Sequence, residues 1–199
     1  MSPHIQQTLV EARAALDALI TNDTTCRAID EAGNLLATLF ENGGRAFSCG
    51  NGGSMCDAMH FAEELSGRYR GNRKALSATA ISDPGYMSCV ANDYGYEQVF
   101  SRYLEAHARS GDVLVAISTS GTSGNVLAAV RAAKQIGMKV IGLSGKPGAT
   151  LTQLADVDIC TPGGQFADRV QELHIKLLHI LIELVERHFF PENYTSAHG

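Results

Sequence analysis

The sequence predicts an α/β fold in which two helices precede a doubly wound, five-stranded parallel sheet. Short apolar runs alternate with helical patterns along the chain, as expected for a parallel sheet covered on both faces. Of the 199 residues, 45% are hydrophobic and 19% are charged. That length suffices for one well-buried core and is short for two, so we expect a single domain over residues 1–199.

Two helices are predicted ahead of the first strand, as an extension over residues 1–42. Apolar residues recur at helical spacing over residues 4–20, and a second helix is expected from Thr24, as N-cap, to Phe40. An amphipathic pair outside the sheet usually packs on the core or on another subunit. The extension therefore favours oligomerisation.

The first predicted strand, Arg45 to Cys49, runs into a loop of small residues, Gly50-Asn51-Gly52-Gly53-Ser54. Glycines let a ligand approach the backbone closely, and Ser54 can cap the helix that follows. Because glycine-rich turns after strands are common in α/β proteins, this loop alone is a weak indication of a binding site.

The helix behind that loop, which continues to about Tyr69, carries His60 and Glu64 four positions apart and Arg68 one turn later. This spacing places all three on one face. A helical His–Glu pair is most often a solvated ion pair. Its place on a helix that starts at a candidate ligand loop makes it a candidate functional pair as well.

The second strand is predicted at Leu76 to Ser82, the fourth at Lys139 to Ser144 and the fifth at Val157 to Thr161. Between the second and third strands, Asn92-Asp93 is predicted to close a short helix. The pair could equally be an ordinary helix C-cap. A helix is then expected over Tyr96 to Ala108.

The third strand, Val113 to Ile117, ends in a hydroxyl-rich loop that leads into a helix. The loop contains Ser118, Thr119, Ser120, Gly121, Thr122, Ser123 and Gly124. Several O–H donors and free N–H groups at a helix N-terminus suit a phosphate, which the helix dipole also favours. The alternative is an ordinary strand-to-helix turn capped by Ser123.

The last predicted helix, from about Phe166 to His188, has a long apolar stripe that is interrupted by polar residues, namely Asp168, Gln171, His174 and His179. Buried polar groups cost free energy unless they are paired. The histidines are therefore either core residues bonded to a carbonyl or carboxylate, or part of a site. Residues 191–199 are expected to be a flexible tail.

Composition excludes several classes of function. With 16 basic and 21 acidic residues the formal charge is −5, which argues against a nucleic-acid surface. The five cysteines include no CxxC pair, as expected for reduced thiols in a cytosolic protein. The N-terminus lacks a signal pattern, and the most apolar stretch contains His179 and Glu183, so we expect no membrane segment and a cytoplasmic location.

Five motifs in order identify a resemblance that covers nearly the whole chain: SCGNGGS, CDAMHFAEELSGRYR, CVANDYGY, ISTSGTSGNV and ADRVQELHIKLLHILIE. Together they resemble the phosphoheptose isomerase family within the sugar isomerase (SIS) fold, a flavodoxin-like three-layer sandwich. The resemblance implies a cytosolic homotetramer that converts sedoheptulose 7-phosphate to D-glycero-D-manno-heptose 7-phosphate. That reaction would begin the ADP- or GDP-heptose biosynthesis that serves lipopolysaccharide or capsule.

The resemblance also implies roles for individual residues. The catalytic pair would be Glu64 and His179. The metal ligands would be His60, Glu64, Gln171 and His179, typically holding zinc, one ion per subunit. The substrate-binding set would be Asn51, Gly52, Gly53, Glu64, Arg68, Asn92, Asp93, Ser118, Thr119, Ser120, Ser123, Asp168 and Gln171.

The implied chemistry suits these residue types. Interconverting a ketose and an aldose moves a proton between C1 and C2 through an enediolate, so Glu64 would act as base. His179 or a metal ion would stabilise the charge on oxygen. If Glu64 also binds zinc, its basicity falls, and the two roles compete.

Two other classes of function remain open at this stage. A non-catalytic SIS protein that binds the bacterial replication initiator would keep the phosphate loop but would not need His60, Glu64, Gln171 and His179 together. A sugar-phosphate-sensing regulatory module would normally be joined to a further domain.

The spacing of Gln171 and His179 predicts an active site shared between subunits. Eight positions on one helix amount to about 12 Å of rise and about 80° of rotation. Two such side chains would hold one ion only at nearly full reach, so we expect them to come from different chains. The alternative is that both belong to one chain, either with a bent helix or with only one of them binding metal.

Overall fold

A computed structural model describes residues 2–164 and 166–195 of the chain. Within them the strands are β1 (Ala46–Gly50), β2 (Ala78–Ala80), β3 (Val113–Ser118), β4 (Lys139–Ser144) and β5 (Val157–Cys160). The α-helices are α1 (Pro3–Ile20), α2 (Asp23–Glu41), α3 (Gly53–Ser66), α4 (Pro84–Tyr94), α5 (Ser101–His107), α6 (Gly124–Ile136), α7 (Thr150–Leu154) and α8 (Ala167–Phe189).

The five strands form one parallel sheet in the order β2-β1-β3-β4-β5. This confirms the predicted doubly wound α/β fold. The strand order reverses between β1 and β3, and ligands of such sheets bind outside the carboxyl ends of the strands at that switch point. Both loops that the sequence marks as candidate ligand loops, after β1 and after β3, lie there.

Both faces of the sheet are buried. In β3, Val113, Val115 and Ile117 pack with residues of α2, α3 and α8, whereas Leu114 and Ala116 pack with residues of α4 to α7. Alternate side chains of a strand point to opposite faces, and here both faces are apolar. The helices that carry the predicted catalytic residues, α3 and α8, therefore share one face of the sheet.

The N-terminal extension packs on α8. A Cβ at Gly33 of α2 would lie 2.7 Å from Leu184 Cδ1, so the two helices approach closely at this glycine. Helix α1 in turn leaves large apolar side chains at least half exposed, namely Ile5, Leu9, Val10 and Ile20.

Several local predictions were wrong in detail. The second strand is shorter than predicted. The residues after it start α4, because the Asp83 carboxylate caps that helix by accepting from Tyr86 N at 2.7 Å. The helix predicted over Tyr96 to Ala108 is split into a 3-10 turn and α5. Asn22 rather than Thr24 caps α2, since its side chain accepts from Thr25 N.

The predicted flexible tail starts with ordered structure. Pro191–Tyr194 forms a 3-10 turn, and the Tyr194 hydroxyl donates to Glu186 Oε2 at 2.8 Å. The prediction was wrong for these residues because Tyr194 has a buried carboxylate as its partner. Residues 196–199 lie outside the described part of the chain.

In the described residues, no helix combines the length and the apolar character that crossing a membrane requires.

Candidate active site

The loop after β1 is built for close approach to its backbone. Gly52 has φ +55°, a conformation that favours glycine, and it forms the N-cap of α3. Ser54 is buried in the first turn of α3 and does not cap it, contrary to the prediction. Asn51 and Asn125 exchange two amide hydrogen bonds of 2.8 Å each, which tie this loop to the start of α6.

The loop after β3 is a cluster of hydroxyls that bond to one another. Ser118 Oγ lies 3.0 Å from Ser123 Oγ and 3.4 Å from Ser120 Oγ, and it accepts from Gly121 N at 3.1 Å. Ser123 makes no side-chain capping bond to α6, so the alternative of a Ser123-capped turn is not what forms. Gly121 has φ +64°, and a Cβ there would lie 2.5 Å from Ala149 Cβ.

A cavity of about 200 Å³ opens beside the hydroxyl cluster. Thr119, Ser120 and Lys146 line it, and Gly145 N donates to Thr119 O at 3.1 Å. A lysine ammonium and hydroxyl donors next to a helix N-terminus are a suitable environment for a phosphate group. The Glu97 carboxylate lies against Gly124 at the same helix start.

A second cluster forms where α3 and α8 pack together. His60 Nε2 lies 2.8 Å from His179 Nε2 and 3.6 Å from Glu64 Oε1. His60 Nδ1 lies 3.0 Å from Glu63 Oε1. If Nδ1–H donates to Glu63, the Nε2 lone pair of His60 faces His179. A carboxylate that accepts from the second ring nitrogen, as Glu63 does here, is the usual support of a ligating histidine.

The burial of this cluster is intermediate, so that a small molecule can reach it. The Glu64 side chain is 19% exposed and that of His60 is 32% exposed. Tyr69 packs on the His179 ring with 5.6 Å between ring centroids. Burial lowers the pKa of His179, His60 lowers it further, and Glu64 opposes both effects.

Gln171 lies at the other end of the helix pair. Its side chain packs so closely on Gly53 that a Cβ there would be 2.6 Å from Gln171 Nε2. Gly53 precedes His60 by seven residues, or about 10 Å of helix rise, and Gln171 precedes His179 by about 12 Å. Helices α3 and α8 thus run side by side in the same direction, with Gln171 beside Gly53 and His179 beside His60.

This arrangement bears on how sites could be shared between subunits. The structure brings His60, Glu64 and His179 together within one chain. The physical reason is the parallel packing of α3 and α8. Gln171 of the same chain is not brought to that cluster.

Other predicted residues lie apart from the cluster. Asn92 and Asp93 are exposed on α4 and bond to each other at 2.8 Å. Arg68 is exposed just beyond α3. Asp168 is exposed and lines a separate cavity of about 450 Å³ with Glu11, Phe166 and other residues.

The chain was then compared with known proteins. A family model described as SIS domain matches residues 10–145. The phosphoheptose isomerase of Aeromonas hydrophila is 56% identical over 183 residues, which are 92% of this chain and 95% of that protein. The phosphoheptose isomerase of Vibrio cholerae is 54% identical over 92% of this chain and 96% of its own length. The chain belongs to the phosphoheptose isomerase family.

Solved structures agree with this membership. The phosphoheptose isomerase GmhA from Neisseria gonorrhoeae is 36% identical, with a TM-score of 0.79 over 92% of this chain and 95% of that one. A phosphoheptose isomerase from Francisella tularensis is 30% identical, with a TM-score of 0.88 over 94% of this chain and all of that one.

Sequence reasoning missed two residues of this phosphoheptose isomerase family member that lie close to the cluster. Glu63 is one, and its spacing of three from His60 was a usable signal. Asp57, one turn before His60, is the other. Burial raises the pKa of Asp57 to about 6, and His60 lowers it by a smaller amount. Its Oδ2 atom is buried with no hydrogen-bond partner in the described part of the chain.

Proposed function

We propose that Glu64 and His179 carry out the proton transfers by which this member of the phosphoheptose isomerase family interconverts sedoheptulose 7-phosphate and D-glycero-D-manno-heptose 7-phosphate. Glu64 takes the proton that moves between C1 and C2. His179 donates a hydrogen bond to the oxygen on which charge develops in the enediolate. The observation that carries this proposal is the meeting of His60, Glu64 and His179 in one partly exposed cluster.

The substrate would lie across the switch point of the sheet. Its phosphate would bind the hydroxyl loop, where Ser118, Ser120 and Ser123 converge and Lys146 lines the adjacent cavity. Its carbonyl end would reach the cluster on α3 along the glycine loop. Asn92, Asp93, Arg68 and Asp168 remain proposed substrate contacts on the family resemblance alone.

The direct test is incubation of the purified protein with sedoheptulose 7-phosphate, followed by detection of an aldose phosphate. We expect product with the wild-type chain and a strong reduction with Glu64→Gln. The non-catalytic alternative, a protein that binds the replication initiator, needs none of the clustered residues. Absence of product from a folded protein would favour that alternative.

We also propose that the cluster holds one zinc ion per subunit. The donor set fits, because two imidazole nitrogens and one carboxylate are ligands that zinc prefers, and His60 Nε2 lies 2.8 Å from His179 Nε2 and 3.6 Å from Glu64 Oε1. When bound, zinc would polarise the oxygens of the substrate at C1 and C2. Metal analysis of the wild-type chain should find zinc, and His60→Ala with His179→Ala should abolish it.

Gln171 joins this proposal only through a second chain. Because Gln171 lies beside Gly53 in its own chain, a Gln171 that ligates the same ion as His179 has to come from a neighbouring subunit. We propose a homotetramer with such shared sites. The exposed apolar residues of α1, including Leu9 at 63% exposure, support an assembly surface. Light scattering should give four times the chain mass.

Hybrid oligomers distinguish a Gln171 that acts across the interface from a Glu64–His179 pair that acts within one chain. After exchange, Glu64→Gln mixed with Gln171→Ala should regain activity if Gln171 acts across the interface. Glu64→Gln mixed with His179→Ala should stay inactive, because these two residues serve a site within one chain. Recovery in the second mixture, or failure in the first when exchange is demonstrated, would contradict the respective assignment.

A cytoplasmic location and a role in heptose biosynthesis for lipopolysaccharide or capsule complete the proposal. All five cysteines are free thiols, which suits a reducing compartment. Fractionation of cells that produce the protein tests the location.

A further inference from the structure

Arg73 and Glu186 form an ion pair whose side chains are both fully buried. Arg73 Nε donates to Glu186 Oε1 at 2.7 Å, and each side chain has 0% exposure. Arginine and glutamate are almost never buried completely unless they are paired. The predicted catalytic chemistry does not use either residue, so the pair calls for a role of its own.

The remaining donors of Arg73 hold the end of α3. Nη1 donates to Leu65 O at 2.7 Å and to Gly67 O at 3.3 Å, and Nη2 donates to Glu64 O at 2.5 Å. The last four carbonyls of a helix have no partner within it. Arg73 thus donates hydrogen bonds to carbonyls at the C-terminal end of α3. One of these carbonyls belongs to Glu64 itself.

The other partner of Arg73 belongs to α8. Glu186 follows His179 by seven residues, which is about two helical turns and so nearly the same face. Its second oxygen, Oε2, accepts from the Tyr194 hydroxyl at 2.8 Å. Arg73 therefore links the end of the helix that carries Glu64 to the helix that carries His179.

We propose that Arg73 is a positioning residue that, through Glu186, sets Glu64 in place relative to His179. The inference rests on the proposed roles of Glu64 and His179. A guanidinium suits this task because its planar fork presents five donors in fixed directions, whereas a lysine ammonium is a point charge that cannot reach several carbonyls and a carboxylate at once.

The test is Arg73→Lys, which keeps the charge and removes the fork. We expect kcat to fall by about 10-fold or more, since a misplacement of about 1 Å costs on the order of 10²-fold. KM for the sugar phosphate should stay within about twofold, because the phosphate would bind the hydroxyl loop, which precedes α6 and is not contacted by Arg73. This division between kcat and KM is what a role in general stability would not produce.

Arg45→Lys is the matched control. Arg45 Nη2 lies 2.8 Å from the fully buried carboxylate of Asp112, at the amino ends of β1 and β3, opposite the candidate site. This change should lower the melting temperature and leave kcat per folded molecule unchanged. An equal fall in kcat in both variants would show general loosening and overturn the proposal, as would a folded Arg73→Lys protein with wild-type kcat.

Tyr194→Phe keeps the test decisive if Arg73→Lys does not fold. It removes one hydrogen bond to Glu186 and leaves the ion pair, so kcat should fall by about two- to fivefold at unchanged KM. Wild-type kcat in Tyr194→Phe would then overturn the proposal. Failure of the proposed function is separate, because it would appear as an active Glu64→Gln protein whatever the Arg73 variants do.

Discussion

Two strand–loop–helix units of the same topology meet at the switch point and differ in chemistry. The unit β1–α3 has a glycine loop and a helix that carries His60, Glu63 and Glu64. The unit β3–α6 has a hydroxyl loop and a helix, GNVLAAVRAAKQI, without histidine or acidic residues. In the proposed function, one unit would supply groups that exchange protons and the other would supply neutral donors that hold an anion.

The two units are held in register by the reciprocal amide bonds of Asn51 and Asn125. Each also has a different buried support. Under α3 the support is the guanidinium of Arg73, which pairs with Glu186. Near the hydroxyl loop it is His174, whose Nε2 donates to Ser144 O at 3.2 Å next to Gly145. These differences can be tested one by one.

The largest expected effect comes from removing the carboxylate that is proposed to transfer the proton. Glu64→Gln keeps the shape of the side chain, and turnover should fall by about 10²- to 10⁴-fold. Steady-state rates at saturating substrate measure this. Glu172→Gln, an exposed glutamate on α8, is the control and should keep full turnover. Near-normal turnover in Glu64→Gln would remove the catalytic role from the β1–α3 unit.

The next largest effect should come from the hydroxyl loop. Ser118→Ala combined with Ser120→Ala removes donors to a charged phosphate, each worth about 1.5–3 kcal/mol. We expect KM for the sugar phosphate to rise on the order of 10²-fold with a smaller change in kcat. Ser110→Ala, at the opposite end of the sheet, should change neither. An unchanged KM in the double variant would show that the phosphate binds outside the hydroxyl loop.

Acid should weaken the support that His174 provides near the hydroxyl loop. Burial lowers the pKa of His174 from 6.5 to about 4. Below pH 6.5 the unfolded chain therefore binds a proton that the folded chain does not, and stability is lost as pH falls from 6.5 towards 4. The difference of about 2.5 units corresponds to about 3 kcal/mol.

Urea unfolding at pH 7 and pH 4.5 measures this loss. His174→Gln should show a smaller dependence on pH than the wild-type chain, even if it is less stable at pH 7. An equal dependence in both proteins would assign the acid sensitivity to other groups.

The smallest expected effect concerns Glu63. Its carboxylate lies 3.0 Å from His60 Nδ1 and 67% of its side chain is exposed, so it orients the ring without meeting the substrate. Glu63→Gln should lower kcat by less than about tenfold, in contrast to Glu64→Gln. If the two variants lost turnover equally, Glu63 would share the catalytic role.

The sequence predicted the fold and the position of both candidate ligand loops because these depend on local patterns. Apolar runs marked the five strands, and the loops could be read from the residues that follow β1 and β3. The His60–Glu64 pair followed from its i, i+4 spacing. Its meeting with His179 entered only through the family resemblance, since a contact across 119 positions leaves no local signal.

Other features depend on packing between distant segments and were not predicted. Arg73 reads as a surface residue in a polar stretch, and only the approach of Glu186 and the α3 carbonyls explains its burial. The end of the chain reads as a tail because the bond from Tyr194 to Glu186 is invisible in the sequence. The position of Gln171 beside Gly53 was not predicted either, because it depends on the parallel packing of α3 on α8.

The division of labour between the two units is tested most directly by titrating sedoheptulose 7-phosphate into the inactive Glu64→Gln protein by calorimetry. The account predicts affinity within about threefold of wild type for Glu64→Gln, and a loss on the order of 10²-fold when Ser118→Ala and Ser120→Ala are added. If Glu64→Gln alone abolished binding, or if the added serine changes left affinity intact, the account would be contradicted.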